Sequence, residues 1–178
     1  PRTIRIERTL QRDRVVTAAT ASANQRFREL FPEQCFKSGA PVATNELTVM
    51  VVSLHGLDQC YRELGDQAAF QASQQVLNQI EQQTVSMRGA VVKLTDEGLT
   101  ATFHDCADAV RCALQIMRVF KHGADYRSLD IGLAVHRGRL LMAQQNGRID
   151  YFGATLRTAF NISSQSQGKV VISDVVAQ

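Results

Sequence analysis

No stretch of the 178 residues stays apolar for long enough to cross a bilayer, so no transmembrane helix is expected. The opening residues, PRTIRIERTLQRDR, lack the apolar core of a secretory signal. The cysteines at 35, 60, 106 and 112 form no CxxC pair and no zinc-type spacing. Cys106 and Cys112 stand six apart, which puts them on different faces of a helix. All four read as reduced, mostly core residues of a cytoplasmic protein. Asn161-Ile162-Ser163 fits the glycosylation pattern, but nothing suggests secretion, so it carries no weight. Surplus charge is also scarce, +3 for the chain. The first thirty residues hold seven Arg against three acids, and the rest holds thirteen basic against fourteen acidic residues. The body is therefore nearly neutral and lacks the basic face a nucleic-acid partner needs. The basic lead-in reads as a solvated linker helix, or as a segment touching lipid or an acidic neighbour.

What is present suffices for one domain with a real core: 44% apolar and 21% charged residues. The chain starts at Pro1 without a Met, and we expect it to be a piece of something longer. Composition and pattern divide it into an N-terminal linker and helix region, 1–46, and a folded domain, 47–178.

Residues 13–31 carry a loose apolar stripe (Val15, Val16, Ala19, Ala23, Phe27, Leu30) ended by Pro32, and predict a helix. It joins an upstream partner, pairs with its copy, or packs on its own domain; the sequence does not separate these. Residues 33–46 read as a loop. LTVMVVSL, 47–54, is a continuous apolar run of the kind found in the middle of a sheet. One helix should follow, with Ala69, Ala72, Val76, Ile80 and Met87 at helical spacing. Asp105 suits the N-cap of another, lined by Val110, Ala113, Leu114, Met117 and Phe120. Strands are expected at 129–136, at 139–143 after a tight turn at Arg137-Gly138, and at 170–173, with a turn at Gln145-Asn146-Gly147 and a helix near 155–165. The order βα-ββ-α-ββ-α-β predicts an α+β fold: a mixed, mostly antiparallel sheet with helices on one face.

The centre of this pattern is AVVKLTDEGLTATF, 90–103. Val91 and Val92 favour a strand, and Thr95-Asp96-Glu97-Gly98 is a turn cluster. Leu99, Ala101 and Phe103 then alternate with Thr100 and Thr102 as in a half-buried strand. Asp96 and Glu97 at the tip make either a cation or phosphate site or a solvated acidic turn.

Three stretches together resemble the catalytic domain of class III adenylyl/guanylyl cyclases. LTVMVVSLHGL (47–57) stands where that family has an apolar strand ending in Asp-Ile-x-Gly-Phe. VKLTDEGLTATF (92–103) stands where it has a Val-Lys-Thr-Ile-Gly-Asp-Gly hairpin. IDYFGATLRTAFNISSQSQGKVVIS (149–173) stands where it has Asp-x-x-Gly, then Val-Asn-x-Ala-x-Arg, then Gly before the closing strand. IGLAVHRGRL (131–140) is similar to the family's Ile-Gly-Ile-His-x-Gly strand. The resemblance spans about 47–173 and implies a ferredoxin-like, palm-type sheet. It also implies a reaction: the 3′-hydroxyl of a nucleoside triphosphate attacks its own α-phosphate and expels pyrophosphate, with two metal ions held by two Asp. A Lys and an Asp read the base, and an Asn and an Arg orient ribose and phosphate.

By that resemblance the first metal Asp falls on Ser53. The second falls on Glu97, with Asp96 replacing the preceding Gly. The Asn falls on Arg157 and the Arg on Asn161, so the pair is swapped. The base-reading pair falls on Lys93 and Asp150, and both match; the plain alternative is a surface or cross-dimer ion pair. His55 and His136 read as strand-end structural residues. Arg137, Arg139, Arg148 and Arg157 offer an anion pocket or are scattered solvated cations.

The base-reading end is kept and the reacting end is not. The expectation is a catalytically impaired cyclase-homology domain of a bacterial-type signalling protein, acting in dimerisation and regulation and binding ATP or GTP. Its partner is a second copy or another cyclase domain. Mg or Mn belongs to an active form, and the substituted positions imply that none is held. The alternative is an active, divergent cyclase using Glu97 and Arg157. A GGDEF-type diguanylate cyclase ranks last, since the hairpin lacks Gly-Gly before its acids and DYFG has no place there.

Overall fold

The computed structural model describes residues 21–31, 41–123, 128–145 and 148–177, apart from the side chains of 122 and 123. The elements in order are α1 (Gln25–Leu30), β1 (Val42–His55), α2 (Leu57–Leu64), α3 (Asp66–Ser86), β2 (Ala90–Thr95), β3 (Gly98–Phe103) and α4 (Cys106–Gly123), then β4 (Asp130–Gln145), β5 (Arg148–Phe152), α5 (Ala154–Ser164), β6 (Val170–Ile172) and α6 (Asp174–Ala177). The expected alternation of strands, helices and hairpins is present, and the fold is α+β. The strands run β2-β3-β1-β4-β5, with β6 parallel to β4 and every other pair antiparallel. The run 47–54 is central, as its largely apolar character leads one to expect.

Several boundaries move. β1 starts at Val42, inside the expected loop 33–46, because Thr44 bridges a bulge. Its Oγ1 donates to Leu140 O at 3.2 Å and accepts from Leu140 N at 3.1 Å, which replaces lost ladder bonds. The turn expected at Arg137-Gly138 does not form. Those residues pair with Thr48 and Leu47, and the ladder to β1 carries β4 straight through. The second hairpin is instead β4 to β5, so Ile149 and Tyr151 belong to a strand. The one helix expected after β1 is two, separated at Gly65. Of the helix expected over 13–31, residues 13–20 lie outside the described residues, and Asn24 interrupts what remains.

Both faces of the sheet are covered, not one. β1 is apolar from Leu47 to Val52 at every position but Thr48, so its alternating side chains feed two cores. Met50, Val52 and Leu54 join Leu99, Phe103, Ile131, Leu133 and residues of α3 and α4. Leu47, Val49 and Val51 join Leu140, Met142, Ile149 and Tyr151 under Ala159 of α5, with Ala23 and Phe27 at the N-terminal side. Complete burial of one such aliphatic side chain contributes about 1.5–3 kcal/mol. For the same reason β3 is not half-buried: Thr100 and Thr102 are as enclosed as Leu99 and Phe103. In α4 the core stripe is Ala109, Cys112, Ala113, Ile116 and Met117, while Leu114 faces outward. The Asp105 cap is present: its carboxylate accepts from Ala107 N at 2.7 Å.

Asp108 fastens α4 to the end of α3. Arg111 and Arg88 both donate to its carboxylate, Arg88 at 2.8 Å. The Arg111 hydrogen bond comes first, and Arg88 adds to it, in holding the Asp108 carboxyl below its usual range against partial burial. A depressed folded pKa stabilises above the unfolded value of about 3.9, and that stability is lost as pH falls through the folded value. Both arginines are well exposed, so solvent screens the effect. Thermal melts should lose stability between about pH 5 and pH 3, and Asp108→Asn should flatten that slope.

Cys60 and Cys112 are buried and Cys106 is half-buried, all with free thiols; Cys35 lies outside the described residues. Burial pushes the Cys112 thiol up to about 11 and raises Cys60 as well. Since only the thiolate reacts, iodoacetamide near neutral pH should label Cys106 in the native protein and spare Cys112 until denaturant is added. Peptide mass spectrometry reads this directly.

Candidate functional site

The end of β1, the β2–β3 hairpin and the last turns of α5 meet at a cleft of about 390 Å³. Its lining includes Ser53, Lys93, Glu97 and Asn161, four of the residues singled out in the sequence. The local reason is registration. Ser53 pairs with Gly98 across the β1–β3 ladder, and Leu54 N donates to Glu97 O at 2.8 Å. The hairpin tip is thereby pinned beside the end of β1. Lys93, on the opposing strand, pairs with Thr100 just past a bulge.

Ser53 does not point at an empty site. Its Oγ lies 2.7 Å from Oγ of Ser163, a fully buried residue of α5. Ser163 donates its own hydrogen to Phe160 O at 3.0 Å, so Ser53 is the donor to Ser163. The Ser53 hydroxyl is neutral and its hydrogen is committed. Glu97 is the one carboxylate among the residues lining the cleft, and it is exposed. A pair of hard divalent ions needs several anionic oxygens. One exposed carboxylate and an engaged hydroxyl do not fit the two Mg or Mn ions implied by the resemblance. Asp96, exposed at the tip, does not line the cleft. Among the described residues, no three His, Cys, Asp or Glu side chains gather where they would hold an ion.

The other candidates are more scattered. Arg157 is exposed on α5, one turn before Asn161, and does not line the cleft. Asp150 lies on β5, and its carboxylate accepts from Tyr151 N at 2.8 Å. β2 and β5 end the strand order on opposite sides yet touch each other, which brings the strands of Lys93 and Asp150 together. Among the described residues no ion pair joins these two. Of the other arginines, Arg137 pairs with Glu46 at 3.5 Å and Arg148 lines a separate groove; none of the four lines the cleft. His55 does end β1, and its Nε2 is buried without a hydrogen-bond partner among the described residues. His136 is not at a strand end but within β4. Its Nδ1 sits 2.7 Å from Ser173 Oγ, and burial lowers its pKa.

Ser163 was not identifiable as a site neighbour from the sequence. It stands 110 residues from Ser53, and no local pattern links them.

No family model matches the sequence. No curated protein matches it either. Solved structures do. The adenylyl cyclase CyaB from P. aeruginosa aligns over 78% of this chain and 81% of that chain, with 19% identity and a TM-score of 0.66. The guanylate cyclase domain of RhGC from Catenaria anguillulae, solved in complex with GTP, aligns over 77% and 82%, with 16% identity and a TM-score of 0.66. The non-canonical dimeric guanylyl cyclase domain of RhoGC from Blastocladiella emersonii aligns over 76% and 83%, with 15% identity and a TM-score of 0.67. The chain thus has the fold of class III nucleotidyl cyclase catalytic domains. No helix among the described residues is long and apolar enough to cross a membrane.

Proposed function

We propose that this domain is a cyclase-fold signalling module that binds a nucleoside triphosphate, ATP or GTP, pairs with a second cyclase-type domain, and turns nucleotide over poorly or not at all. The observation that carries this reading is the Ser53–Ser163 hydrogen bond, at the position where the resemblance implies a metal carboxylate. Lys93, in the cleft, and Asp150 supply a cation and an anion suited to the edge of a base. The swapped Arg157 and Asn161 leave the transition-state charge without the cation that the family places at 161. Nucleotide binding and free thiols both fit the cytoplasm.

Titration calorimetry with ATP and GTP, with and without Mn²⁺, tests binding, and a cyclic-product assay on the same samples tests turnover. Saturable heat with turnover far below the ordinary enzyme range of about 1–1000 s⁻¹ is expected. Turnover within that range overturns the impaired reading. One observation favours the active alternative: Arg157 shares a helix face with Asn161 and is exposed to reach a phosphate.

A further inference from the structure

A nucleoside triphosphate carries several crowded negative charges, which divalent ions ordinarily offset. The cleft does not fit two such ions, so its own side chains must meet whatever charge enters. Those side chains offer little. Lys93 and Glu97 are the charged residues among those lining the cleft, and they are of opposite sign. Asp96 at the hairpin tip and Arg157 on α5 lie outside the lining, and they too are of opposite sign. The neutral donors are largely spent. Ser53 donates to Ser163 Oγ, Thr95 to Gly98 O at 3.3 Å, and Ser164 to Asn161 O at 3.0 Å. Phe160 lines the same cleft and is 43% exposed, which leaves an aromatic face on which a base can stack.

We propose that this cleft takes its nucleotide without a divalent ion, and therefore prefers a 3′,5′-cyclic monophosphate to ATP or GTP. The phosphate of a cyclic nucleotide is a diester with a single negative charge. Lys93 offsets that charge whichever end of the ligand it meets. A triphosphate brings further charge that faces Glu97 and finds no second cation in the lining. Contacts inside the cleft are shorter than the Debye length of about 8 Å, so salt does not screen this repulsion away. The size agrees as well. A cleft of about 390 Å³ stands near the lower end of small-molecule sites, roughly 300–1,000 Å³. On this assignment the domain reads the product of a cyclase reaction and does not consume the substrate. The inference rests on the reading of the cleft as a nucleotide site, and the two can fail separately.

The test is titration calorimetry on the full chain at fixed ionic strength, with cyclic AMP, cyclic GMP, ATP and GTP, first in EDTA and then with Mn²⁺. In EDTA a cyclic nucleotide should bind at least tenfold more tightly than the triphosphate of the same base. Mn²⁺ offsets part of the triphosphate's own charge, so the gap should narrow without reversing. Mn²⁺ should change the affinity for the cyclic nucleotide less than twofold. Glu97 is exposed in a turn, so Glu97→Gln should fold normally, which circular dichroism checks. It should tighten triphosphate binding at least threefold in EDTA and alter cyclic-nucleotide binding less than twofold. If Glu97 held an ion, the same variant would weaken triphosphate binding in Mn²⁺, so the sign of the change decides. Phe160→Ala should weaken cyclic nucleotide and triphosphate alike, by about fivefold, as the loss of a stacking face does. The proposal is overturned if a triphosphate binds as tightly as its cyclic counterpart in EDTA or in Mn²⁺, or if Glu97→Gln loosens the triphosphate. Heat from none of the four nucleotides removes the nucleotide reading and the preference together, whereas tighter binding of the triphosphate removes the preference alone.

Discussion

Ser53→Asp combined with Arg157→Asn and Asn161→Arg should raise cyclic-nucleotide formation at least a hundredfold over the unmodified chain, assayed with Mn²⁺ and either ATP or GTP. A hundredfold is about 2.7 kcal/mol of barrier. That is modest beside what a missing charge-stabilising group commonly costs. The geometry favours the change. Residue 53 opposes Gly98 at the foot of the hairpin that carries Glu97, so a carboxylate at 53 would share one cleft with Glu97. Ser53→Asp alone should give much less, because groups that act together on one transition state are far from additive. Ser163→Ala frees the Ser53 hydroxyl without adding charge, and should leave the rate unchanged. If the unmodified chain already turns over at enzyme-like rates and the triple variant slows it, Glu97 and Arg157 do the chemistry, and the impaired reading is wrong.

The sheet was legible wherever one residue pattern had one physical solution. LTVMVVSL admits little but a central strand, and Thr95-Asp96-Glu97-Gly98 between two β-rich runs admits little but a hairpin; both are present. Errors arose where a long-range ladder overrode a local signal. Arg137-Gly138 looks like a turn on its own, but pairing with Thr48 and Leu47 holds it extended. Val42–Glu46 looks like loop because the two-core apolar run starts only at Leu47. The strand before it is held by β4 and by the Thr44 hydroxyl, neither of which a local window contains. The second helical layer was missed because a short run, apolar on both alternating faces, does not say whether helices will cover one face or two. For the site, the sequence brought Ser53, Lys93, Glu97 and Asn161 to notice, and the fold sets them in one cleft. It could not show that Ser53 is already bonded, since Ser163 reaches it only through the packing of α5.

Gly98→Ala should cost at least about 3 kcal/mol, or about 6–12 °C in melting temperature for a chain of this size. The same substitution at Gly65 should cost only about 1 kcal/mol. Both glycines have positive φ, +158° at Gly98 and +76° at Gly65. Conformational strain is therefore common to both, and the neighbours decide. A Cβ at Gly65 meets nothing within 4 Å, so only backbone strain is added. A Cβ at Gly98 would stand 2.0 Å from Val52 O and 3.1 Å from its carbonyl carbon. That oxygen belongs to the central strand and cannot swing away as a side chain would. The hairpin must instead retreat from β1, which breaks the Leu54 N to Glu97 O bond and carries Glu97 away from Ser53. Differential scanning calorimetry of the two variants, with the unmodified chain, reads the contrast. Equal losses at the two positions would mean that the tip of the hairpin is not seated against β1, and the cleft built on that seating would go with it.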